Sequence, residues 1–279
     1  MQTPEAIPVT SSNTSAPLLF ISHGAPTFAI EPGRLGPQLQ ALGAQLEGVR
    51  AVLVVSPHWQ TRGVVVSTDA APETIHDFGG FPARLYDLHY PASGAPQIAE
   101  QAAELLRAAG FATTTSQHGL DHGAWVPLYH LLPQAQIPVF QVSMPYDLDT
   151  EQAMQLGRAL APLRQQGVLI LASGSMTHNL REFRQGASQA ASYVVEFSDW
   201  VRTAVLANAQ QPMLQYRSEA PHAERAHPSE EHFLPLLVAM GAQQAGEAVR
   251  LIDGGIEHGM LSMDSFVWGM PPTATTTAH

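Results

Sequence analysis

Ala51-Val52-Leu53-Val54-Val55-Ser56-Pro57-His58-Trp59 is the stretch whose reading decides the fold. A run of apolar, mostly β-branched residues enters Ser-Pro and then delivers a histidine. That is the pattern of a fully buried strand presenting His58 at the edge of a sheet. The pattern recurs twice. Leu18-Leu19-Phe20-Ile21-Ser22 runs into His23-Gly24, and Val168-Leu169-Ile170-Leu171-Ala172-Ser173 runs through Gly174-Ser175-Met176-Thr177 into His178. In open α/β sheets, chemistry gathers outside the carboxyl ends of the strands. Three histidines carried there by three strands predict a site.

Outward from these runs, strands and helices alternate. Leu35, Leu39, Leu42 and Leu46 recur at helical spacing and predict a helix over 35–47. A strand at 63–68 is expected beside the one at 51–57. Further helices are read at 96–109, closed by Gly110, then from 122 to near Pro133, and at 150–165 and 188–209. A last helix opens at Ser229, a good N-cap, and continues through Met240. Strands are read at 111–115, 137–143, 167–173, 247–252 and 260–268. The alternation predicts one α/β domain over 17–270, with flexible tails at 1–16 and 271–279. Between Asp69 and Gly94 lies a long stretch with little period, and a loop of that length is usually functional. Phe78, Phe81, Tyr86, Tyr90 and the nearby Trp59 suit a wall for a planar ligand.

Composition removes several classes of function. The net charge of −11 leaves no basic stripe for a nucleic-acid backbone. The absence of cysteine excludes disulfides, thiolate metal sites and cysteine nucleophiles. The polar first sixteen residues lack the pattern of a signal peptide. No apolar run approaches the ~20 residues needed to cross a bilayer, so no membrane partner and a cytoplasmic location are expected. Homo-oligomerisation is left open. Thirteen histidines is the unusual count. Beside His23, His58 and His178, His232 stands where a helix start aims a fourth group at the same edge. Imidazole donors from distant parts of the chain suit a catalytic Zn(II) or Fe(II).

Six short motifs add a resemblance. His23-Gly24-Ala25-Pro26, Ser56-Pro57-His58-Trp59, Ile75-His76-Asp77-Phe78-Gly79-Gly80-Phe81-Pro82, Asp121-His122-Gly123-Ala124-Trp125, Gly174-Ser175-Met176-Thr177-His178-Asn179 and Glu231-His232-Phe233-Leu234-Pro235-Leu236 stand in that order. Together they resemble the class III extradiol ring-cleavage dioxygenases, and within them the 4,5-DOPA dioxygenase branch. The resemblance runs from Leu18 to Gly269. It implies a central mixed, mostly parallel sheet flanked by helices. It also implies a non-haem Fe(II) enzyme that inserts O2 into a catechol such as DOPA.

On the same resemblance, His23 and His58 are metal ligands, His178 is the acid/base and His122 a further active-site histidine. His232 is chosen as the third ligand, with Glu231 and His227 as alternative donors. A catechol needs a base with a pKa near 7, which suits His178. Asp121 is a candidate to orient His122. His76, Phe81, Tyr86 and Trp59 are the candidate substrate contacts, with packing as the alternative for Trp59. Arg181 and Arg184 could meet a substrate carboxylate or face water. His89, His118, His130, His222 and His279 are read as structural or solvated. The main rival is a zinc-dependent hydrolase using the same histidines, since Zn(II) fits such a site as well as iron does. A serine hydrolase is rejected: Gly186-Ala187-Ser188-Gln189-Ala190 lacks the last glycine of the nucleophile elbow. A metal-binding protein without activity would leave a bound catechol unchanged.

Overall fold

The computed structural model describes residues 15–183, 187 and 189–270. In chain order the strands are β1 (Leu18–Ser22), β2 (Ala51–Thr61), β3 (Val64–Ser67), β4 (Thr113–Ser116), β5 (Val139–Pro145), β6 (Val168–Gly174), β7 (Val249–Ile252), β8 (Ile256–Glu257), β9 (Leu261–Ser262) and β10 (Ser265–Trp268). The main helices are α1 (Leu35–Gly43), α2 (Pro96–Ala108), α3 (His122–Leu131), α4 (Thr150–Leu160) and α5 (Ser192–Leu206). Three short turns of helix follow, α6 (Gln210–Leu214), α7 (Tyr216–Glu219) and α8 (Ala223–Ala226), and then α9 (Leu234–Ala242).

Eight strands form one sheet in the order β4-β3-β5-β2-β6-β1-β10-β7, and β8 with β9 makes a separate antiparallel pair. The pairs β4–β3, β5–β2, β2–β6 and β6–β1 are parallel; β3–β5, β1–β10 and β10–β7 are antiparallel. The sheet is mixed and mostly parallel, flanked by helices. Its middle explains the repeated pattern in the sequence. β2, β6 and β1 are adjacent and parallel, so their carboxyl ends lie at one edge. Their apolar residues are buried throughout, as a strand covered on both faces requires. α9 packs on α4 and against β6 and β1, while α3 packs on α1 and against β2.

Several boundaries differ from the sequence expectation. β3 does not neighbour β2, because β5 lies between them and pairs with both. The run at 260–268 divides into β9 and β10, which serve different sheets. α1 ends at Gly43, and the helix expected over 188–209 is Ser192–Leu206. The last helix starts at Leu234, not at Ser229, with Pro235 in its first turn. A start at Ser229 would put Pro235 in the helix interior, where its ring blocks a turn; in the first turn its missing N–H costs nothing.

At the far margin, the fully buried Arg164 pairs with Glu247 and donates to the carbonyls of Ala16 and Ala242. Ser15 and Ala16, assigned to a tail from sequence, are held here: Ser15 Oγ accepts from Gln244, and Ala16 N–H donates to Arg164 O. The remaining tail residues, 1–14 and 271–279 with His279, lie outside the described residues. Among the described residues no helix is long and apolar enough to cross a membrane.

Candidate active site

β2 does not end where its apolar run ends. Its register against β5 passes from Val55↔Val142 directly to Gln60↔Met144, so Ser56, Pro57, His58 and Trp59 bulge out of the ladder. Pro57 has no N–H to donate, so pairing breaks at this point. A bulge beside a site re-aims its side chains, and here it presents His58. His23 follows β1 directly, and its N–H donates to Gly174 O at 3.0 Å. Gly24 then turns the chain at φ +64°, where a Cβ would also strike Met263. Beyond β6, Ser175 N–H donates to His232 O and His178 N–H to Ala226 O, both at 2.8 Å. The 226–233 turns are thereby stitched to the segment that carries His178.

These contacts bring five histidines together. The Nε2 atoms of His23 and His58 are 3.1 Å apart. The His232 ring centre lies 5.4 Å from that of His23 and 5.1 Å from that of His58. His178 stacks flat on His232 at 3.5 Å, and His122 lies 3.8 Å from His58. Possible donor atoms of His23, His58 and His122 fall within 4.8 Å of one another, and those of His178, Glu231 and His232 form a second such group.

Hydrogen bonds fix which nitrogen carries the proton in His23, His122 and His232. The Ser173 hydroxyl donates its only hydrogen to Gly123 O, so the 2.9 Å contact with His23 Nδ1 is donated by the imidazole. That leaves a lone pair on His23 Nε2. Asp77 accepts from both Nδ1 and the backbone N–H of His122, each at 2.9 Å, which leaves a lone pair on His122 Nε2. Glu231 accepts from His232 Nδ1 at 2.9 Å, so Glu231 is spent orienting its neighbour. His232 Nε2 is buried without any hydrogen-bond partner. Gly123 permits the approach of α3, since a Cβ there would press on Ser56 Oγ and His58.

Electrostatics favour the neutral form of His23, His58, His178 and His232. Burial, then the other histidines, pushes His23 and His232 well below the ordinary imidazole value. Burial and His122 bring His58 down to about 3 against the opposing pull of Asp77. Burial also lowers His178, with Glu231 opposing. Burial raises the Asp77 carboxyl, but the two hydrogen bonds it accepts from His122 outweigh it and leave a net fall. Neutral imidazoles with lone pairs turned inward, one of them unpartnered, are a donor set that fits a divalent metal ion. The chemistry of the site and the orphaned His232 Nε2 point the same way.

The five histidines line a cavity of about 360 Å³ with Phe78, Phe81, Leu180, Phe183 and Leu261. Of the candidate substrate contacts, Phe81 is in this lining and His76, Tyr86 and Trp59 are outside it. His76 bonds Leu88 O and packs against Trp125, and Tyr86 lies against Phe78. Trp59 stacks on His118 at 4.0 Å. His227 is wholly buried and bonds Met176 O, away from the cavity. Asp121 does not orient His122. Its carboxylate caps α3 and bonds Ser56 and Gln141, while Asp77 takes the role expected of it. Arg181 is not in the lining, and Arg184 lies outside the described residues. Phe78, named among the aromatics suited to a ligand wall, is in the lining, whereas Asp77, Ser173, Leu180 and Phe183 were missed from sequence. Asp77 had a signal, as a carboxylate inside a quoted motif; Ser173 had a weaker one, as the last polar residue of its strand.

Residues 19–253 match the model of the catalytic LigB subunit of aromatic ring-opening dioxygenase. The chain belongs to that family, and so to the extradiol ring-opening dioxygenases. Among its relatives, a 4,5-DOPA dioxygenase extradiol of Beta vulgaris is 40% identical over 88% of this chain and 94% of the relative. One of the same name from Escherichia coli (strain K12) is 37% identical over 94% and 97%. A solved structure of an uncharacterised protein from Escherichia coli K12 has a TM-score of 0.75 at 31% identity, covering 90% of this chain and 99% of that one. None of these matches favours a hydrolase.

Proposed function

We propose that the protein opens a catechol ring beside its two hydroxyls, at a metal held by His23, His58 and His232. His178 would serve as acid/base and His122 as a contact for a substrate oxygen. The observation that carries this reading is the buried, unpartnered Nε2 of His232 beside the closely spaced Nε2 atoms of His23 and His58. Bound Fe(II) would supply a charge that acidifies a catechol hydroxyl and the redox chemistry that O2 requires, whereas Zn(II) fits the same donors but supplies the charge alone.

The chain's own groups account for the rest. His178, held neutral by burial, can accept a proton from the second hydroxyl and later return it. His122 accepts a hydrogen bond at Nε2, in an orientation set by Asp77 at Nδ1. Phe78, Phe81 and Leu261 exclude water from the bound ring. The partners are then a small catechol and O2.

The test is anaerobic loading with Fe(II), followed by O2 and a panel of catechols that includes DOPA. The expected result is one O2 consumed per yellow, ring-opened product. His178→Ala should abolish the colour and retain the metal. If no catechol yields product while the Zn(II) form cleaves esters, the reading fails.

A further inference from the structure

The first turn of α3 meets both strand ends that set the metal-facing histidines. β2 and β6 pair in parallel with Val55 opposite Ala172, so the next residues, Ser56 and Ser173, stand at the same level of the sheet. Both serines are buried. Ser173 donates to the Gly123 carbonyl and accepts from His23 Nδ1. Ser56 donates to the Asp121 carboxylate at 2.7 Å and accepts from the His58 backbone N–H at 3.3 Å. Each hydroxyl spends its one hydrogen on the first turn of α3 and offers a lone pair to a histidine. Residues 121–123 therefore address His58 through Ser56 and His23 through Ser173, with His122 between them.

Asp121 fixes that turn. It is 2% exposed, and its carboxylate also accepts from Gln141 Nε2 at 2.7 Å and from the Ala124 N–H at 3.2 Å. The Asp121 N–H donates to Gln141 Oε1 at 3.1 Å, so Gln141 of β5 holds the residue at two points. Capping a helix needs only a serine or asparagine at the surface, whereas burying a carboxylate is costly unless its oxygens are matched. Here donors from β2, β5 and α3 match it. Gly123 completes the close approach, since a Cβ there would strike Ser56 Oγ and crowd His58.

We propose that Asp121 is a positioning residue for the metal centre. It locks the first turn of α3 onto the bulge that carries His58 and, through Gly123 and Ser173, onto His23. Its carboxylate acts through Ser56 and the α3 backbone. The proposal rests on the reading above, in which His23, His58 and His232 hold a divalent metal.

The test reads Zn(II) affinity by competition with a chelator, the visible spectrum of the Co(II) form, and the urea midpoint, all on the full chain. Asp121→Asn turns an amide N–H towards the amide of Gln141, so two donors meet. Zn(II) affinity should fall by about 10- to 100-fold, and the Co(II) bands should shift. Adding Gln141→Glu gives that amide an acceptor and keeps one for the N–H of residue 121. The double variant should therefore recover most of the lost affinity and the original spectrum. Ser56→Ala leaves the cap of α3 in place but cuts its link to the bulge, and should weaken Zn(II) in the same way even if the Asp121→Asn chain does not fold. Zn(II) affinity and Co(II) bands unchanged in Asp121→Asn or in Ser56→Ala, with only the urea midpoint lowered, would overturn the positioning role. So would a double variant that regains the midpoint but not the affinity. Unsubstituted protein that binds no divalent metal would instead sink the metal reading, and this proposal with it.

Discussion

The site is assembled from two halves built by different means. His23 and His58 stand on or directly beyond two parallel strands, β1 and β2, that flank β6, so the sheet itself sets their spacing. His232 stands in turns between α8 and α9 and reaches the same place through main-chain bonds to the segment after β6. The sheet half is anchored by buried apolar runs. The turn half is anchored by hydrogen bonds and by Glu231, a side chain about a quarter exposed. Equal proximity therefore does not mean equal robustness, and each half can be challenged separately.

The largest effect should come from the sheet half. His58→Ala should reduce metal content from stoichiometric to trace, read by elemental analysis, with ring opening lost. Next is His178→Ala, expected to lower kcat by about 10²- to 10⁴-fold while metal content holds, since it would remove proton transfer alone.

A paired test sharpens the contrast between halves. Ser173→Ala and Glu231→Ala each remove a partner of a histidine Nδ1 and should weaken metal affinity by about 10- to 100-fold. Only Ser173→Ala should also cost stability, about 1 kcal/mol, because it leaves buried partners unsatisfied. Urea midpoints separate the two.

An effect confined to acid pH concerns His227, which belongs to the turn half. Burial pushes this imidazole down to about 3 against the opposing bond to the Met176 carbonyl. In the unfolded chain it takes up a proton below about 6.5. Between those values the unfolded state binds more protons, so its contribution to stability is complete above pH 6.5 and declines as the pH drops. From pH 7 to pH 5 the loss should be about 2 kcal/mol. His227→Gln should remove about that much of the pH dependence of stability, the other buried histidines keeping theirs; an unchanged slope would remove His227 as a contributor.

The same division explains what could be read in the sequence. Strands in the sheet centre announce themselves by continuous apolar runs, and His23, His58 and His178 follow those runs directly. The aim of His232 depends on Pro235 fixing a helix start and on bonds between distant main-chain segments, neither of which has a local period. Phe78 and Asp77 were visible as residues of a motif, but their roles depend on the path of a loop. The position of β3, separated from β2 by β5, depends on pairing over long range. Leu180 and Phe183 looked like ordinary turn residues until the cavity showed what they face.

The bidentate hold of Asp77 on His122 has a consequence for anyone reshaping this protein. Asp77 is followed immediately by Phe78, whose ring meets the edge of His122 at 5.7 Å. One carboxylate thus ties an apolar wall of the cavity to a group proposed to touch the reacting oxygen. Substitutions at Phe78 made to change selectivity will carry over into turnover. Leu180 and Phe183 sit on a separate turn without that tether, and directed evolution of a new preference has its freest start there.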